Sequence, residues 1–347
     1  MDIRLPYSRA GMMLHLDESL DYEILESAIQ SMPENEKSED EIVLDAMAHP
    51  IHSPKLSELA KGRKRVVIIC SDHTRPVPSR HIIPFMLKEI REGNPDADIT
   101  LLIATGFHRE TTREELIGKF GEDIVAHENI QIHDSRDMDA MENLGVLPSG
   151  APLLINKTAA QADLLVSEGF IETHFFAGFS GGRKSVLPGV SSKVTVLGNH
   201  CAAFIDSPYS RTGILENNPI HTDMLAAGQM AKLRYIVNVI IDSDKKVVHA
   251  VAGDARKAHE AGCQFLRRYC QVAPQKLADI AISTNGGYPL DQNMYQSVKG
   301  MTAAEAASKD GGILIMVSDC GDGHGGEGFY NALKDCESPQ ALMEEIL

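Results

Sequence analysis

The sequence predicts an α/β protein of two domains, with largely parallel sheets flanked by helices and the active site in the interdomain cleft. Three observations point there. Short apolar runs recur and end in small, polar or charged residues; segments with helical spacing lie between them; and a polar stretch near residue 270 separates one series from the next. The runs are RVVIIC at 65–70 before Ser71-Asp72, ITLLIA at 99–104 before Thr105-Gly106, ADLLVS at 162–167, YIVNVII at 235–241, DIAIS at 279–283 and GILIMV at 312–317. Such near-continuous apolar runs suit parallel strands covered on both faces. Among the intervening segments, residues 79–92 place Ile82, Ile83, Phe85, Met86 and Ile90 on one stripe, and Thr111-Thr112-Arg113-Glu114-Glu115 carries a capping pattern. Strands alternating with helices mean α/β layers, and in such sheets chemistry collects at the carboxyl ends of the strands. The stretch QVAPQ at 271–275 then sets an N-terminal domain of 1–270 and a C-terminal domain of 275–347.

Composition narrows the class. At 347 residues the chain holds about two ordinary domains, each able to bury its own core. Its six cysteines are scattered without a C-x-x-C pair, which fits neither a disulfide framework nor a zinc ribbon and suits a reducing cytoplasm. The first residues lack a signal-peptide core, and no run approaches the roughly 18 apolar residues of a membrane span. With 49 acidic against 33 basic side chains, the net charge of -16 repels nucleic acid and anionic lipid, so an anionic substrate needs a local basic pocket. The acidic stretch 34–41 reads as a solvated helix start.

The densest chemical constellation runs from Glu172 to Ser185 and contains His174, Gly178, Ser180, Gly181, Gly182, Arg183 and Lys184. Glycines beside a Lys-Ser pair let backbone N–H groups close on a phosphate. From Gly178 the spacing is that of a phosphate-binding G-x-x-x-x-G-K-S/T loop, but Arg183 stands where the second glycine belongs, which argues against an ordinary ATPase. Two more loops follow strands: residues 71–78, with Asp72 and Arg75, and residues 105–110, with His108. Arg75 offers a fork for a carboxylate, and His108 a group that exchanges a proton near neutrality. His200, in Gly198-Asn199-His200-Cys201, is a third candidate histidine. No pair has zincin spacing; His49-Pro50-Ile51-His52 reads as a connecting loop and residues 319–328 as a glycine-rich turn without the order of an EF-hand.

Taken together and in order, Leu5-Pro6-Tyr7, Ser71-Asp72-His73-Thr74-Arg75-Pro76, Thr105-Gly106-Phe107-His108-Arg109, the stretch from His174 to Ser185, and Tyr295-Gln296-Ser297-Val298-Lys299-Gly300 resemble the lactate racemase family over nearly the whole chain. The resemblance implies a nickel-pincer nucleotide, a pyridinium-3,5-bisthiocarboxylic acid mononucleotide holding nickel by carbon and two sulfurs. It is attached covalently through Lys184, with His200 as nickel ligand and the phosphate against Ser180, Gly181 and Gly182. The resemblance further implies inversion of the C2 centre of a small anionic 2-hydroxy acid by hydride transfer to and from this cofactor, with His108 and His174 as acid/base groups for opposite enantiomers. Arg75, Tyr295, Gln296 and Lys299 would bind the substrate, and Asp72 would orient Arg75 or bond the cofactor. Separate biosynthetic enzymes must build the cofactor. Members of the family continue past the point where this sequence stops, in an apolar-striped helix at 341–347. Two other functions compete: epimerisation of a larger sugar acid or dicarboxylic hydroxy acid with the same cofactor, and a non-catalytic nucleotide- or cofactor-binding role.

Overall fold

A computed structural model describes residues 1–31 and 36–346. The chain forms two compact units, one of Met32–His73 and Val77–Tyr269, the other of Met1–Ser31, Thr74–Pro76 and Cys270–Leu347.

The larger unit is built on a six-stranded sheet of β1 (Arg65–Ser71), β2 (Asp98–Ala104), β3 (Asn129–Ile132), β4 (Leu164–Phe170), β5 (Leu233–Ile241) and β6 (Val247–Asp254), in the spatial order β6-β5-β4-β1-β2-β3. All neighbours are parallel except β5 and β6, which form an antiparallel edge pair. β4 is buried at every residue, as the unbroken apolar run requires of a strand covered on both faces. Its sheet positions share one core with two helices, α1 (Glu39–Ala48) and α2 (Ile83–Gly93): Ile68, Leu101, Val166 and Val237 pack with Val43, Met47, Met86 and Ile90.

Local chemistry sets the helix ends. Ser38 caps α1 reciprocally with Glu41, and three acids in its first turn favour the positive end of the helix dipole; of the acidic stretch 34–41, residues 34 and 35 lie outside the described residues. α2 starts at Ile83 rather than near Ser79, because Pro84 lacks an N–H and belongs in a first turn, so residues 79–81 form a separate 3-10 turn. Thr112 and Glu115 close a capping box on α3 (Arg113–Phe120). Further along come α4 (Lys193–Asn199), α5 (Pro219–Met230) and α6 (Lys257–Cys270).

The smaller unit holds an N-terminal hairpin, Asp2–Leu5 with Met12–His15, and a parallel pair, β7 (Ala278–Thr284) and β8 (Ser308–Val317), joined through α7 (Met294–Ala306). Residues 1–31 thus group with the C-terminal part of the chain. The glycine-rich residues 321–325 turn directly after β8. Among the described residues, no helix is long and apolar enough to cross a membrane.

Candidate active site

Three loops leave the carboxyl ends of β1, β2 and β4 in the larger unit, and the first two are linked by a charge-assisted hydrogen bond. His108 Nδ1 lies 2.5 Å from Asp72 Oδ2, with Asp72 almost wholly buried. An ionised carboxylate only accepts, so Nδ1 is the nitrogen that carries a proton here. This bond is a role for Asp72 beyond the orientation of Arg75 or contact with a cofactor expected from sequence. The His108 loop is tied to the third loop by Gly106 N–H, which donates to Gly189 O at 3.1 Å.

The third loop folds over the end of β4. Thr173–His174 pairs with Gly178–Phe179, and the chain then turns through Gly181 and Gly182 into a 3-10 helix, Gly182–Ser185. Both glycines have positive φ, and a Cβ on Gly181 would stand 2.7 Å from Asn238 Oδ1. Ser180 Oγ donates to Phe170 O and accepts from Glu172 N–H, and Gly182 N–H donates to Asn238 Oδ1 at 2.8 Å. These groups serve the loop's own shape.

Phe176 gathers the other side chains. His174 meets its ring edge-on with centroids 4.5 Å apart, His200 does so at 5.0 Å, and Lys184 Nζ lies 5.7 Å from its centroid. His174 is buried, and its Nδ1 accepts from the backbone N–H of Ala177 at 3.3 Å and of Phe176 at 3.5 Å. His200, at the end of α4, has its Nδ1 out of solvent with no hydrogen-bond partner. Burial, and then the positive charge of Lys184, pushes the His200 pKa down to about 3, so the ring is neutral at physiological pH.

The remaining candidates stand in the smaller unit. Arg75 donates from Nη1 to Thr74 Oγ1 at 2.7 Å. Tyr295, Gln296 and Lys299 lie in the first turns of α7, whose N-cap is Asn293, and Tyr295 and Lys299 are i,i+4 neighbours on one helix face. Burial raises the Tyr295 pKa while the Arg75 charge acts against it. The structure therefore gathers the predicted residues into two sets: Asp72, His108, His174, Ser180, Gly181, Gly182, Lys184 and His200 in one unit, Arg75, Tyr295, Gln296 and Lys299 in the other. Sequence reasoning missed Phe176 and Asn238. Asn238 did leave a signal, a single polar residue inside the apolar run 235–241.

The chain resembles known proteins over nearly its whole length. The family model for the lactate racemase N-terminal domain matches residues 7–213, and that for the lactate racemase C-terminal domain matches residues 273–347. The chain is 55% identical over 346 residues to a lactate racemase of Thermoanaerobacterium thermosaccharolyticum, and 53% identical over 345 residues to one of Lactiplantibacillus plantarum; it spans 81% of each and is itself covered to 100% and 99%. The solved lactate racemase apoprotein from T. thermosaccharolyticum superposes with a TM-score of 0.92 at 54% identity, covering 100% of this chain and 81% of that one. A protein from Thermotoga maritima, at 21% identity and a TM-score of 0.66 over 80% of this chain and 70% of its own, shares the fold. Matched at both ends and identical in more than half of its residues to two lactate racemases, the chain belongs to the lactate racemase family.

Proposed function

We propose that this protein racemises lactate, using a nickel-pincer nucleotide attached through Lys184 with His200 as the protein ligand to nickel. The observation that carries the cofactor reading is His200. A buried ring nitrogen with no hydrogen-bond partner is costly unless something completes it. Nickel takes a neutral imidazole nitrogen readily, and His200 is neutral, partly buried and grouped with Lys184 around Phe176. The residues present thus fit the group.

When bound, the cofactor would supply a carbon that accepts and returns the hydride of C2. The chain's own residues would handle the protons and the carboxylate. Nε2 of His108, its tautomer fixed by Asp72, would take the hydroxyl proton of one enantiomer, and Nε2 of His174 that of the other. A racemase must serve mirror-image substrates, so it needs a proton acceptor for each. Arg75 would hold the carboxylate by its fork, with Tyr295, Gln296 and Lys299 as further substrate-binding groups. In this reading residues 1–270 supply the cofactor lysine and the histidines, and residues 275–347 the substrate groups of α7. Ser180, Gly181 and Gly182 would shape the loop that carries the cofactor's phosphate. The partners are a small anionic 2-hydroxy acid and the enzymes that build the cofactor, and the six free cysteines suit the reducing cytoplasm.

The test is to expose the protein to those biosynthetic enzymes and nickel, then measure intact mass and bound metal. The unsubstituted protein gains both, Lys184→Ala gains neither, and His200→Ala gains the mass but gives up its nickel to a chelator more readily. A Lys184→Ala protein that retains mass and metal contradicts the attachment.

A further inference from the structure

We propose that Arg183 is a positioning residue for Lys184, a guanidinium beneath the turn that fixes the direction in which the lysine leaves the loop. The inference rests on the reading of Lys184 as the cofactor-bearing residue. In sequence, Arg183 is the residue that spoils a phosphate-binding glycine loop. In the fold its side chain is turned inward and is 3% exposed.

Four carbonyls of the loop converge on it. Nη2 donates to Ala177 O at 2.8 Å, and Nη1 to Phe179 O at 2.7 Å, with Gly181 O and Ser180 O at 3.3 and 3.4 Å. Nε donates to His221 Nδ1, and Nη1 lies against His259 Nε2, both at 3.0 Å. No carboxylate pairs with it among the described residues. A buried cation without a counter-charge is costly, and here the guanidinium's five N–H donors meet loop carbonyls in place of a carboxylate.

His221 Nδ1 accepts from Arg183, whereas His259 Nε2 donates to Ser180 O at 2.8 Å. His221 is pushed down to about 3 and His259 well below its ordinary value, each by burial first and then by the Arg183 charge. Asn238 holds the same turn by the Gly182 N–H, and Lys184's own backbone is fixed on both sides, its N–H donating to Gly181 O and its carbonyl accepting from Gly189 N–H. Residues 182–185 form a 3-10 helix, in which consecutive side chains point about 120° apart. Pinning Arg183 inward therefore turns Lys184 toward Phe176, His174 and His200.

The experiment uses the cofactor-free protein and reads the rate of Lys184 acylation by a small activated ester across alkaline pH, with Lys157 and Lys309 as internal references. Arg183→Lys keeps the charge and loses the fork; Arg183→Gln loses both. Each is expected to raise the Lys184 rate, relative to the references, by about tenfold, the worth of one hydrogen bond to a charged group. Leu101→Ala, which destabilises the sheet away from the turn, should leave the ratio unchanged. Folded Arg183 variants whose ratio stays within about twofold of the unsubstituted protein overturn the proposal. Should neither fold, His221→Leu, which removes only the acceptor for Nε, decides in the same way. Lys184→Ala run in parallel through cofactor loading separates the two readings. Retention of cofactor there sinks the role of Lys184, while the labelling ratios still judge Arg183.

Discussion

At the scale of single residues, the bond between Asp72 and His108 makes the sharpest demand. Asp72→Asn keeps the shape but replaces an acceptor-only group with one that can also donate, so Nδ1 is no longer held protonated. The expected result is a fall in kcat of about a hundredfold or more in both directions, with the KM for lactate little changed, measured by a chiral assay from each enantiomer. A variant with unaltered kcat would leave Asp72 only a packing role. His108→Ala and His174→Ala should each lose activity in both directions if, as proposed, the base for one enantiomer is the acid that completes the other. Part of this was legible in the sequence. His108 and His174 stood out because polar groups follow apolar runs where strands end, and His200 was a third candidate histidine whose ligand role only the family resemblance implied. The bond from Asp72 to His108 was not, since it joins residues 36 positions apart on different loops and depends on the spacing of β1 and β2.

At the scale of elements, the loop from Glu172 to Ser185 works as one unit because glycine is needed where the backbone turns left-handed against β5. Gly181→Ala would add a Cβ 2.7 Å from Asn238 Oδ1 and 2.8 Å from Phe170 O at a φ of +76°. A backbone at φ +76° and ψ -178° is all but reserved to glycine and costs about 1–3 kcal/mol for a residue with a Cβ, and the contacts add to it. Urea denaturation of the cofactor-free protein should therefore show a loss of at least that size, together with weaker cofactor loading. The capping box of α3 makes a smaller case: Thr112→Ala should cost about 1 kcal/mol in the same measurement, with activity unaffected. Apolar runs and caps made six strands and a few helices readable. The antiparallel β6 was overlooked because its residues follow β5 through a short polar turn, and a hairpin return cannot be told from the end of an α/β unit by apolar content alone.

Across the whole molecule, buried neutral histidines set the response to acid. His221, pushed down to about 3 in the fold, titrates near 6.5 when unfolded, and His259 shifts the same way. A depressed folded value means that the unfolded chain binds more protons as pH falls. Their contribution is complete above the unfolded value and is lost as pH drops from there toward 3. For His221 alone this is about 2 kcal/mol at pH 5. Denaturation of the cofactor-free protein at about pH 7.5 and about pH 5 should show the loss, and His221→Gln should reduce it. Stability that rises on acidification would contradict the burial of both rings. The division of the chain also has a lesson in scale. The boundary near residue 270 shows in composition, but the grouping of residues 1–31 and of Thr74–Pro76 with the C-terminal unit depends on long-range contacts, which no local pattern encodes.

The most direct measurement is to load the protein with the nickel-pincer cofactor, supply a single enantiomer of lactate in deuterated water, and follow both chirality and deuterium at C2. The account predicts inversion in either direction with the original hydrogen retained at C2, because it travels as hydride and never exchanges with solvent. Inversion with deuterium at C2 would mean proton abstraction, and no inversion by the loaded protein would mean that it is not a lactate racemase; either result contradicts the account.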